Sequence, residues 1–144
     1  SNLNNVNAQQ LAVGDKEGIL ELFPPKQERA SGMHSMYASN DNATDRESAK
    51  VPMISLDQLF KQNHIEHCDL LKMDVEGAEY VILYGSSDET YAKIDRIHGE
   101  YHHVGDEERF KIESLAKFLR EKGFEVEIKR KLRQDNFGLF FAKK

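Results

Sequence analysis

The feature that most constrains the fold is a nearly continuous apolar run, Cys68–Val75, which leads directly into Glu76 and Gly77. A strand that is apolar on both faces is typical of a parallel sheet covered by helices on its two sides. Gly77 allows a sharp turn from strand to helix, and the free amides of a helix start favour nearby carboxylates. Residues 68–84 therefore predict a strand–turn–helix unit of an α/β domain.

The rest of the chain alternates between strand and helix patterns. Ser55 and Gln58 have the spacing of a capping box at the start of a helix. Residues 110–122 carry apolar side chains at helical spacing. The predicted strands cover residues 8–13, 18–23, 51–54, 68–75, 94–101, 124–129 and 137–142. This order predicts an α/β sheet that is mostly parallel and ends in an antiparallel C-terminal hairpin.

A chain of 144 residues has the length of one domain, and we expect residues 1–144 to form it. A polar stretch at 24–50, rich in Ser, Asn, Asp and Ala, interrupts the pattern of strands and helices. A loop of this length in a compact domain is either a functional lid or a disordered segment. The sequence leaves both readings open.

Charge and cysteine content exclude several classes of protein. The formal net charge of −5 argues against a general nucleic-acid binder, which needs a positive field. Cys68 is the only cysteine, so no internal disulfide can form and a reducing compartment is expected. No apolar run approaches the roughly 20 residues that cross a bilayer, and no signal peptide is recognisable. We therefore expect a soluble, cytoplasmic protein without nucleic-acid or membrane partners.

Polar side chains cluster where two predicted strands end. Side chains alternate along a strand, so Lys72 and Asp74 share one face of the apolar strand. On the next strand, His98, Glu100 and His102 share a face. If the two strands are neighbours, Asp74 and Glu100 lie close together at the sheet end where α/β proteins bind ligands. Carboxylates beside a His and a Lys shift each other's pKa, as in an acid–base site; the alternative is a structural ion-pair network.

Four segments of the chain resemble the FkbM family of S-adenosylmethionine-dependent methyltransferases. The most specific are Ile54–Leu59 and Asp69–Glu79, the latter with the pattern Leu-Lys-x-Asp-x-Glu-Gly-x-Glu. Leu11–Asp15 with Gly18 is similar to the family's third strand and its following turn, and Glu100–His102 to the end of its fifth strand. The resemblance covers nearly the whole chain.

This resemblance implies a Rossmann-like fold whose seven strands have the sheet order 3-2-1-4-5-7-6. It also implies that S-adenosylmethionine is the cofactor and that a small-molecule acceptor is methylated, typically on a hydroxyl group of a sugar or natural product. By the same resemblance, Asp74 and Glu76 line the pocket near the transferred methyl group. Ala12 and Val13 match the region that borders the adenine.

The resemblance places Glu100 and His102 at the end of a strand that faces the acceptor. Methyl transfer to a hydroxyl is an in-line displacement that needs positioning and a base. We hypothesise that Asp74 or His102 takes the proton and that Glu100 orients the base. No metal is expected in this mechanism.

The family's first strand, its Gly-x-Gly loop and the acidic residue that holds the ribose precede the point where this chain begins. We therefore expect a partial methyltransferase sheet that lacks the first two strands. The Lys72–Asp74 strand then becomes an apolar, unprotected sheet edge, which favours pairing with another chain. The sequence thus predicts a homo-oligomer through that edge, or a displaced N-terminal hairpin.

Two other functions remain open. The chain could be a non-catalytic binding or interaction domain derived from the same fold. It could also be a metal-assisted hydrolase in which Asp74, Glu76 and Glu100 supply oxygen ligands.

Overall fold

The computed structural model describes residues 5–22, 49–102, 104–130 and 137–144. In these ranges seven strands form two mixed sheets, accompanied by four α-helices and a 3₁₀ turn at Glu108–Phe110. The strands are β1 (Ala12–Gly14), β2 (Gly18–Leu22), β3 (Ala49–Ser55), β4 (Leu71–Met73), β5 (Arg96–His102), β6 (Glu125–Arg130) and β7 (Phe137–Lys143). The helices are α1 (Leu56–Gln62), α2 (Glu79–Tyr84), α3 (Asp88–Ala92) and α4 (Ile112–Glu121).

The first sheet has three strands in the order β1-β3-β2. Met53 of β3 lies opposite Ala12 of β1 in a parallel pair and opposite Gly18 of β2 in an antiparallel pair. The second sheet has the order β4-β5-β7-β6. Lys72 of β4 lies opposite His98 in a parallel pair, whereas β7 runs antiparallel to both β5 and β6.

The α/β class and the antiparallel C-terminal hairpin agree with the sequence analysis, but the expected single, mostly parallel sheet does not match the two mixed sheets. Connection length explains the antiparallel strand in the first sheet. Only residues 15–17 separate β1 from β2, and a parallel neighbour needs a crossover of a dozen or more residues. The chain therefore reverses, and β2 pairs with β3 in the opposite direction from β1.

Several element boundaries also differ from the prediction. β4 is only three residues long and is preceded by an isolated bridge between Cys68 and Ile94. α2 begins at Glu79 rather than Gly77, since Glu76 and Gly77 have φ values of 50° and 101° that no α-helix accommodates.

The predicted polar loop at 24–50 falls almost entirely outside the described residues. The exception is the end of the loop, because residues 49–50 already belong to β3.

Two side chains of the Ile54–Leu59 segment organise helix starts. Ser55 and Gln58 form the predicted capping box at the start of α1. Asp57 accepts hydrogen bonds from the backbone N–H of Ser87 and from the hydroxyl of Thr90, at the start of α3. This segment therefore joins two helices, which is a structural reason for its composition.

The buried core lies on one face of the four-stranded sheet. Along β5 the residues Ile97, Gly99 and Tyr101 are buried, while the side chains between them face the other side of the sheet. A Cβ atom on Gly99 would lie 2.1 Å from a ring carbon of Phe140, so only glycine fits there. In the described part of the chain, no helix is long and apolar enough to cross a membrane.

Candidate active site

Asp74 and Glu100 line one cavity of about 290 Å³ on the sheet face opposite the core. The strands that carry them are parallel neighbours, and the pairing of Lys72 with His98 brings the two polar rows into register. This is the neighbourhood that strand alternation predicts. Lys72 and His98 also line the cavity, and its remaining walls are Leu70, Met73, Gly99, Leu139 and Phe141.

The charges in this cavity are only partly paired. The Lys72 Nζ lies 3.7 Å from a carboxylate oxygen of Asp74, and both side chains are well exposed. An exposed pair of this kind contributes little stability. The His98 ring packs edge-on against Phe141, with 4.8 Å between ring centroids. With Glu100 added, the walls carry two carboxylates for one ammonium group.

His102 lies on β5, as Glu100 does, but it contacts two carboxylates that do not line the cavity. Its Nδ1 atom is 3.3 Å from Oε1 of Glu79, and its Nε2 atom is 3.5 Å from Oε2 of Glu76. The ring stacks on Phe137 with an interplanar angle of 12°. From the sequence we expect Glu100 to orient this histidine, whereas the geometry places Glu79 and Glu76 at its two nitrogens.

In the sequence, Glu79 has the position of an ordinary carboxylate near a helix start. Its side chain is fully buried, and one carboxylate oxygen accepts a hydrogen bond from the backbone N–H of Val75. The other oxygen has no hydrogen-bond partner among the described residues. Burial raises the pKa of this carboxyl, while His102 and the Val75 amide act in the opposite direction.

A spacing signal in the sequence could have identified Glu79. It shares the inner face of α2 with Ile82 and Leu83, at positions i, i+3 and i+4. A carboxylate in such an apolar stripe indicates a buried charge that needs a specific partner.

The turn between β4 and α2 holds Glu76 against His102. Glu76 has φ 50° and Gly77 φ 101°, so two consecutive residues lie in the left-handed region. Glycine adopts this region freely, but for Glu76 it costs of order 1 kcal/mol. Strained backbone of this kind is held in place by the surrounding structure and is often found at functional sites.

Ala12 and Val13 lie on β1, in the three-stranded sheet, and are not among the described residues that line the cavity with Asp74. Val13 packs against the hydrophobic core, and β1 contacts α2. The structure therefore places these two residues beside the core and α2, and not in the cavity that Asp74 and Glu100 line.

The three carboxylates considered for a metal-assisted hydrolase do not bring their oxygens within metal-ligand reach of one another in the described ranges. In the described ranges, the trio with ligand atoms within 4.8 Å of one another is His67, Asp69 and Asp95, all exposed. Asp74, Glu76 and Glu100 form no such group in the same ranges. The arrangement therefore gives no support to metal ligation by those three carboxylates.

Comparisons with known proteins agree with the motifs around this site. Residues 1–126 match the family model of the methyltransferase FkbM domain, and the chain therefore belongs to that family. A curated relative, the AMB antimetabolite synthetase AmbE of Pseudomonas aeruginosa, is 34% identical over 123 residues. The match covers 82% of this chain and only 6% of the relative. No solved structure matches the chain.

Proposed function

We propose that this chain is a methyltransferase domain that uses S-adenosylmethionine to methylate a hydroxyl group on a sugar or natural product. The observation that carries the proposal is the meeting of two acidic strand ends, Asp74 after β4 and Glu100 near the end of β5, at one cavity. In open α/β sheets, ligands bind outside the carboxyl ends of the strands. Membership of the FkbM methyltransferase family supports the same reaction class.

The strand order also supports a Rossmann-like relationship. The second sheet has the strand order β4-β5-β7-β6. This order matches 4-5-7-6, the last four positions of the strand order that the family resemblance implies. The parallel pairing of β4 with β5 and the antiparallel position of β7 fit the same pattern.

The cavity suits a cationic methyl donor. Asp74 and Glu100 give its walls a negative excess over Lys72, which favours a positively charged sulfonium. Bound S-adenosylmethionine would supply the methyl group for transfer. We assign Asp74 and Glu76 to the methyl-bearing end of the donor and Ala12 and Val13 to its adenine end.

In this proposal the residues of β5 act on the acceptor. Transfer to a hydroxyl releases a proton, and Asp74 or His102 takes it as general base. Glu100 lines the cavity with Asp74 and orients that residue when it acts as the base. The name of the relative, an antimetabolite synthetase, favours a natural-product acceptor over a sugar.

Isothermal titration of S-adenosylmethionine and its demethylated product into this chain tests the proposal. The product lacks the positive charge, so Asp74→Asn should weaken donor binding roughly fivefold, as for a partly exposed charge pair of about 1 kcal/mol, and barely change product binding. The exposed Asp69→Asn variant is the matched control and should bind both as the wild type does.

Absence of binding of either molecule at millimolar concentration would contradict the proposal that this chain holds the donor, and would favour a non-catalytic binding domain. Equal weakening of donor and product binding in Asp74→Asn would contradict the assigned role of that carboxylate.

A further inference from the structure

We propose that Glu79 is a positioning residue that fixes the ring of His102 and sets which of its nitrogens carries the proton. The Glu79 carboxylate accepts a hydrogen bond from Nδ1–H of His102, so that Nε2 is the nitrogen available for proton transfer. This inference rests on the proposed function, in which His102 is a candidate general base.

The two carboxylates that contact His102 differ in burial. Glu79 is fully buried, whereas the side chain of Glu76 is 30% exposed and that of His102 is 23% exposed. The Nδ1 side of the ring is therefore closed to solvent, and the Nε2 side opens toward it. A buried carboxylate behind an imidazole, with the second nitrogen facing outward, is the arrangement that holds one tautomer and stabilises the imidazolium formed on proton uptake.

Glu79 is poorly explained as a residue that only stabilises the fold. A buried carboxylate loses its hydration, and hydrogen bonds offset this desolvation free energy only when both oxygens are well bonded. Here one oxygen accepts a hydrogen bond from the Val75 N–H and faces His102, while the other has no hydrogen-bond partner among the described residues. An apolar side chain of similar volume would pack there at lower cost. The contact with His102 is the feature that such a side chain would lose.

Two carboxylates face the two nitrogens of the His102 ring. A neutral imidazole has one N–H and can donate to Glu79 or to Glu76, but not to both. Only the imidazolium donates to both carboxylates. A proton taken up at Nε2 would therefore be received between His102 and Glu76, while the bond to Glu79 stays in place.

Nitrogen-15 NMR of the histidine side chains tests the tautomer directly in this chain. At about pH 9, where an ordinary imidazole is neutral, His102 should carry its proton on Nδ1. Glu79→Leu removes the acceptor at similar volume, so the proton should move to Nε2 and bond Glu76. Glu79→Gln retains a carbonyl oxygen and should preserve the wild-type tautomer. The ring of His98, which packs on Phe141, is the internal control and should not change.

An Nε2-protonated ring in the wild type, or an unchanged tautomer in Glu79→Leu, would overturn the proposal. Glu76→Gln provides a second test if Glu79→Leu does not fold: the Nδ1 proton should remain, and its loss would assign the control of the tautomer to Glu76. In one outcome the proton shifts between the ring nitrogens as expected, while His102→Ala leaves methyl transfer unchanged. That result would confirm that Glu79 positions the ring and would contradict the role of His102 as the general base.

Discussion

Glu79 links the chemistry of the site to the stability of the chain. Burial raises its pKa in the folded state above the value near 4.3 of an unfolded chain. The folded state then retains a proton at pH values where the unfolded state has already released it. Stability from this group is full below the unfolded pKa and is lost as the pH rises through the folded pKa.

Because of Glu79, the free energy of unfolding of the wild type should fall as the pH rises from acid to neutral. We predict that Glu79→Gln abolishes this fall. The glutamine does not titrate, so the free energy of unfolding of the variant, relative to the wild type, should increase across this window. Urea unfolding at a series of pH values measures the difference. Glu121→Gln, an exposed carboxylate on α4, is the control. A constant difference between Glu79→Gln and wild type at all pH values would contradict the prediction.

The start of α3 depends on a side chain from another helix. Asp57 of α1 accepts hydrogen bonds from the Ser87 amide and the Thr90 hydroxyl, adding to the local cap by Ser87. We predict that Asp57→Ala lowers the free energy of unfolding by about 1 kcal/mol, the usual cost of a lost helix cap. Hydrogen exchange should also become faster at the amides of the first turn of α3.

Urea unfolding and amide exchange measure these two effects, with Asp69→Ala as the matched control. Asp69 is an exposed aspartate that caps no helix, and its removal should leave the free energy of unfolding nearly unchanged. Equal losses in the two variants would show that the bridge from Asp57 to α3 contributes nothing specific.

The elements that the sequence predicted well are those decided by local chemistry. The capping box at Ser55, the amphipathic pattern of α4 and the alternation of β6 depend on residues close in the chain. The sequence does not predict α3, because five residues are too few to show a helical period. In addition, its start is capped by Asp57, which lies on another helix, as well as by Ser87.

The site divides in the same way. The meeting of Asp74 with Glu100 follows from strand alternation and parallel pairing, so it could be predicted. The contact of His102 with Glu79 could not, because it depends on the left-handed turn at Glu76 and on where α2 begins. Backbone strain of this kind is held by tertiary contacts and has no signal in residue spacing.

The two edges of the four-stranded sheet differ in how they are protected. β6 alternates Glu125, Glu127 and Lys129 along its outward face, a charge pattern that discourages pairing with another chain. β4 offers Leu71, Lys72 and Met73, and the adjoining Leu70 is 45% exposed. No strand in the described ranges pairs with the outer side of β4. The unpaired backbone of an apolar edge is a template for a second strand.

We predict that the chain self-associates through β4 and that Leu70→Lys converts the assembly to a monomer, because a charge at this edge loses its solvation when two edges pair. Light scattering coupled to size-exclusion chromatography measures the mass. Leu139→Lys is the matched control: Leu139 is 41% exposed and lies on the same sheet face, but on the interior strand β7. If the chains associate through β4, Leu139→Lys should keep the wild-type mass. If only Leu139→Lys abolishes association, the chains associate through the open sheet face instead. A monomeric wild type would contradict association altogether.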